Sequence, residues 1–106
     1  MITITFYKRR GALLGFDSSG HAGYEDAGKD IVCAGVSAIL YAVANTLEDL
    51  QANAFIEERE NRLRVKIVES SETDPAIQAV LRVAWLGAIG IEEQYGKFLT
   101  IKSKEE

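Results

Sequence analysis

The chain has one histidine, His21, and one cysteine, Cys33, and the two together could carry nucleophilic chemistry. Cysteine attacks as the thiolate, and a free thiol titrates at about 8.5, so a catalytic site must lower that value. Asp30 reads as a helix N-cap, its carboxylate accepting amide hydrogens two or three residues on. Cys33 then lies in the first helical turn, where the positive end of the dipole favours a negative sulfur. His21 stands in the glycine-containing segment just upstream, placed to form a thiolate–imidazolium pair. The same helix start offers backbone donors to the oxyanion of a tetrahedral intermediate. Asp30 opposes thiolate formation if its carboxylate faces the sulfur rather than the backbone.

Plainer readings stand beside these. A lone cysteine among Ile31, Val32 and Val36 is commonly a small buried hydrophobe, and a histidine beside glycine is often a loop residue. Ser37, on the same helix face as Cys33, either bonds the Cys33 carbonyl or is a small polar core residue. Other chemistry finds little to work with. One cysteine excludes an internal disulfide, and one Cys with one His cannot make a single-chain structural zinc site, which takes four such ligands. No metal or cofactor is expected. No phosphate loop, dinucleotide fingerprint or metalloprotease helix is present. The pairs Glu57-Glu58 and Glu92-Glu93 are adjacent and do not face one another as an acid/base couple would. Lys8, Arg9 and Arg10 form the one basic cluster and read as a solvated turn.

These residues need a scaffold, and 106 residues at 47% apolar composition supply one domain, 1–106. Sixteen acids against twelve bases, a net charge of −4, disfavour nucleic acid as a partner. The longest uncharged run, Ile31–Leu47, is shorter than the about twenty residues that span a bilayer, so a buried core helix is expected and no membrane. Met1 leads straight into a strand-like alternation with no secretory leader, and the expectation is a soluble cytoplasmic protein.

Ile2, Ile4 and Phe6 alternate with Thr3, Thr5 and Tyr7, which predicts a half-buried strand. Arg9-Arg10-Gly11 predicts a turn, and Ala12–Asp17, with Leu14 and Phe16 in phase, a second strand. Ser18–Lys29, holding Gly20, Gly23 and Gly28, is expected as a loop. A helix follows from Ile31 to about Leu50. Ala54–Glu58 and Leu63–Val68 predict two strands around Glu60-Asn61, with Leu63, Val65 and Ile67 on one face. Asp74-Pro75 starts a second helix, since proline at the first helical position loses no hydrogen bond. It runs to about Gln94, before a last strand over Lys97–Lys102. The order ββαββαβ is an α+β fold: a small mixed or antiparallel sheet of five strands, both helices on one face, the other face wet. Ala79–Ile91 carries one charge, Arg82, and is apolar all round, which suggests burial on more than one side and a subunit interface. Gly87 and Gly90 would permit close approach there, or pack tightly on the sheet.

The stretch Gly20–Leu40, GHAGYEDAGKDIVCAGVSAIL, resembles the ribosomal-processing cysteine protease family (Prp). The likeness rests on Gly20-His21-Ala22, a glycine-containing loop with Gly28, Asp30-Ile31-Val32-Cys33 opening a helix, and Ser37. The family's paired alanines after the cysteine are here Ala34-Gly35. The resemblance implies a homodimeric cytoplasmic endopeptidase that trims a short N-terminal extension from large-subunit ribosomal protein twenty-seven. It implies His21 as general base, Cys33 as nucleophile, and Asp30 as a supporting residue, either cap or partner to His21. From the glycines themselves, Gly20, Gly23, Tyr24 and Gly28 are expected in a substrate loop that is mobile in the free protein and orders on peptide binding, or else in a rigid turn held by Tyr24 on the sheet. The competing class is a non-enzymatic regulatory or assembly module, because strand two onward follows the ferredoxin-like order.

Overall fold

The computed structural model describes residues 1–20, 30–68 and 71–106. The elements run β1 (Ile2–Arg9), β2 (Ala12–Ser19), α1 (Ile31–Asp49), β3 (Ala54–Arg59), β4 (Arg62–Ile67), α2 (Pro75–Tyr95) and β5 (Leu99–Glu105). They form one five-stranded mixed sheet in the order β3-β4-β2-β1-β5. Every pairing is antiparallel except β1 with β5, which run parallel. In a ferredoxin-like arrangement the last strand lies beside the first of the repeat. Here β1 is inserted between β2 and β5, so the ferredoxin-like order of the sequence does not carry over to the sheet.

The two-residue periodicity of the strands and the helical stripe of α1 and α2 meet in one core. Ile2, Ile4 and Phe6 of β1 and Leu63, Val65 and Ile67 of β4 point to the helices and are buried. Over them lie Val36, Leu40, Val43 and Leu47 of α1 and Ile77, Leu81, Ala84 and Ala88 of α2. By length and composition alone both helices could cross a membrane; in this fold each lays its buried stripe on the sheet. Phe6 packs edge-on against Trp85, with ring centroids 5.0 Å apart. The opposite sheet face is wet and charged, with Arg62 and Arg64 paired to Asp17.

Both predicted caps form. Asp30 and Asp74 are extended residues whose carboxylates accept amide hydrogens from the first helical turn, and Pro75 opens α2.

Three expectations change. Leu14 and Phe16 are not in phase, because a bulge shifts the β1–β2 register after Tyr7, so that Lys8 faces Leu13 while Tyr7 faces Gly15. Leu13 therefore joins Phe16 in the core. The last strand is not Lys97–Lys102 but Leu99–Glu105, extended because it follows β1 from Ile2 to Lys8. Gly87 packs not on the sheet but against α1: a Cβ there would come within 2.9 Å of Ile39, so it lets the two helices approach, while Gly90 has nothing within 4 Å.

The bulge has its own support. Gln78 of α2 accepts from the Leu13 amide at 2.9 Å and donates to the Leu13 carbonyl at 2.8 Å. Alanine at 78 would leave both groups of a buried residue unsatisfied, so Gln78→Ala is expected to cost about 1–3 kcal/mol in urea unfolding. A cost within experimental error of zero would show that the bulge holds itself.

Candidate active site

The cleft that holds Cys33 is built from three parts of the chain. The first turns of α1 form one wall, the end of β2 another, and the β3–β4 turn with the start of β4 closes it. Its volume is about 220 Å³, and Cys33, Ser37 and Tyr41 line it from α1. They do so because positions four apart share a helix face. Ser18, Asn61 and Arg62 face them.

Cys33 is half-buried and lines this cleft, so it is not a sealed core hydrophobe. Asp30 acts as cap: it is buried, and its Oδ1 accepts from the Val32 and Cys33 amides, both at 2.9 Å. The carboxylate is thus turned to the backbone, the orientation that least opposes a thiolate. The same bonds correct the expectation about oxyanion donors. The Cys33 amide is already given to Asp30 Oδ1, and the Ala34 amide to the Asp30 carbonyl at 3.0 Å. With Asp30 seated as cap, neither amide is free to receive an oxyanion.

Ser37 is exposed at the cleft wall, which overturns its reading as a small polar core residue. Gly20 follows the end of β2 and is tightly held. Its amide donates to the Asn61 carbonyl at 3.0 Å, its φ is +95°, and a Cβ would sit 2.4 Å from the Met1 carbonyl oxygen. The residue directly before His21 is therefore fixed between Met1 and the β3–β4 turn, at the edge of the Cys33 cleft. His21 itself, and Gly23, Tyr24 and Gly28 of the expected substrate loop, lie outside the described residues.

Sequence reasoning missed Ser18, Tyr41, Asn61 and Arg62. Tyr41 was within reach of it, lying two helical turns beyond Cys33 on the same face. Asn61 and Arg62 were not, because a β3–β4 hairpin reaches the cleft only through the sheet order. On the opposite sheet face Asp17 grips the Arg62 guanidinium with both oxygens, at 2.8 and 3.1 Å, and raises its pKa. The neighbouring Glu58 carboxylate, with some burial, raises the pKa of the Tyr41 phenol. Among the described residues no cluster of three or more His, Cys, Asp or Glu side chains could hold a metal ion.

This arrangement has counterparts in known proteins. The family model of cysteine protease Prp matches residues 1–100. Ribosomal processing cysteine protease Prp of Bacillus subtilis is 40% identical over 35 residues, a stretch covering 33% of this chain and 31% of that protein. The fold is similar to the crystal structure of the essential ribosomal processing protease Prp from Staphylococcus aureus with a covalently linked product peptide. That likeness has a TM-score of 0.91 and 26% identity, over 98% of this chain and 100% of the other. The same S. aureus protease with a substrate peptide gives a TM-score of 0.84 at 25% identity, over 98% of this chain and 100% of the other. SMU.848 from Streptococcus mutans gives 0.80 at 29% identity, over 100% of this chain and 96% of the other. The family match runs through all three walls of the cleft and on into the last strand, and the chain belongs to the cysteine protease Prp family.

Proposed function

We propose that this protein is a cytoplasmic cysteine endopeptidase that removes the short N-terminal extension of large-subunit ribosomal protein twenty-seven, with Cys33 as nucleophile and His21 as general base. The observation that carries it is a half-buried cysteine in the first turn of a helix, opening into a cleft of about 220 Å³. The capped helix start favours the thiolate through its dipole. His21 takes the thiol proton and the sulfur attacks the scissile carbonyl. As the tetrahedral intermediate collapses, the C–N bond breaks and the proton passes to the leaving amine. Water, deprotonated by His21, then attacks the thioester, and the carboxylate product leaves as the thiolate returns. Nothing in these steps calls for a metal or cofactor. Asp30 supports them by holding the helix start, and Ser37 by its place on the cleft wall beside the sulfur. The S. aureus relative, described with a covalently linked product peptide and with a substrate peptide, supports this reading.

The test is thiol reactivity joined to cleavage. Iodoacetamide at neutral pH should modify Cys33 faster than it does a free cysteine in a peptide, and modification should stop trimming of the extended substrate. A sluggish thiol with no cleavage would favour a non-enzymatic binding module.

The protein is also proposed to work as a homodimer. Val83 and Leu86 stand on the outer side of α2 at 59% and 58% exposure, so the chain itself covers only one side of that apolar helix. Light scattering should give about twice the 11.7 kDa chain mass. A monomer at micromolar concentration would refute the dimer without touching the chemistry.

A further inference from the structure

The floor of the Cys33 cleft is aliphatic but for one group. Ile2, Val36, Leu40 and Leu63 form it, all buried, and Ser18 lies among them. β2 runs through Ser19, so Ser18 is a strand residue rather than the start of a loop. It is in register with Ile4 on β1 and Leu63 on β4, both core residues, and residues so paired point to the same face of the sheet. Two large aliphatic neighbours thus flank a position that would pack well with a third. The chain places a hydroxyl there, on a residue only 9% exposed. Among the described residues that hydroxyl has no hydrogen-bond partner, and it opens on the cleft. Buried polar groups are nearly always bonded, because leaving one unmet is costly.

A partner for it has to enter through the cleft. The space, about 220 Å³, is smaller than pockets for whole small molecules, which begin at about 300 Å³, and it suits one large side chain. The four aliphatic residues would take the stem of that side chain and Ser18 its polar tip. A charged tip does not fit. Apart from the Cys33 sulfur, the one charged group among the described lining residues is Arg62, and its guanidinium is held by both oxygens of Asp17. A charge at the floor would therefore be desolvated with no counter-ion. We infer that Ser18 is a specificity-determining residue: its hydroxyl receives the neutral polar tip, a hydroxyl or carboxamide, of a substrate side chain flanking the scissile bond. The inference deepens the endopeptidase reading and rests on it.

The test uses peptides built on the extended ribosomal substrate. Singly, at each of three positions on either side of the cut, they carry Tyr or Phe, and Gln or Met, pairs alike in shape that differ in the polar tip. At one position the polar member of a pair should exceed the apolar one in kcat/KM by about three- to tenfold, and the ratio should fall to about one in Ser18→Ala. Ratios near one at every position, or a polar preference that survives in Ser18→Ala, would overturn the inference. Binding of the same peptides to Cys33→Ala protein, read by fluorescence anisotropy, reports the subsite independently of turnover. A polar preference there, lost in the Cys33→Ala/Ser18→Ala double variant, would uphold the subsite even if no peptide were cut. Equal binding of the paired peptides would reject it even if cleavage were seen. Thermal unfolding gives a readout without any peptide. A hydroxyl with no partner in the fold adds nothing to stability, so Ser18→Ala should melt no lower than the parent. A clear fall in melting temperature would show that the hydroxyl is already bonded inside the protein, and the inference would be wrong.

Discussion

Cys33→Ala is expected to lower turnover of the extended ribosomal substrate by at least about a thousandfold while leaving the fold intact. The side chain is half-buried at a helix start, and alanine is the best helix former, so little packing and no backbone bond is lost. The cap keeps this bond, because Asp30 accepts from the backbone amide of residue 33, which alanine also carries. The melting temperature should therefore stay close to that of the parent. His21→Ala should lose a comparable factor if, as proposed, the two groups act as a unit in making and using the thiolate. The double variant should be no worse than either single one, the non-additivity expected of a shared step. Cleavage retained by a folded Cys33→Ala protein would remove the nucleophile and with it the whole mechanism.

The largest effect on stability is expected at Gly15. This residue lies in the middle of the sheet, in register with Tyr7 on one side and Lys66 on the other. Its φ is +153°, and a Cβ would lie 1.9 Å from the Val65 carbonyl oxygen and 2.8 Å from the Lys66 Cα. Both are backbone atoms, so no side-chain rotation relieves the clash; β2 and β4 would have to part. Gly15→Ala is expected to cost more than about 4 kcal/mol, a large share of what a domain of this size has. Gly11→Ala is the matched control. Its φ is +84° but nothing stands within 4 Å of the added carbon. Only backbone strain is paid there, about 1 kcal/mol. Urea unfolding of the two variants should separate them clearly. Equal and small losses would mean that the central strands are not packed as described.

What could be read from the residues was what is local. Asp30 and Asp74 announced their helices because a cap is a short-range bond, and Leu63, Val65 and Ile67 announced a strand face because alternation is local too. The bulge was hidden, since Leu13 and Leu14 are both apolar and only pairing with β1 decides which joins Phe16. The length of β5 was hidden for the same reason: Ser103, Lys104 and Glu105 look like a polar tail until β1 lends them a partner. Part of the candidate site was legible through Cys33 and Asp30, while Ser37 was placed on the right helix face but taken for a core residue. The facing wall, Asn61 and Arg62, depends on β4 lying beside β2, a contact between distant segments that no spacing along the chain reveals.

The most direct measurement is intact-mass analysis of extended and pre-trimmed ribosomal protein twenty-seven after incubation with a catalytic amount of this protein. A single cut that releases the N-terminal extension from the extended form, with the trimmed form unchanged, is the expected result. An extended substrate that keeps its full mass in the presence of folded, alkylatable protein would contradict the assignment.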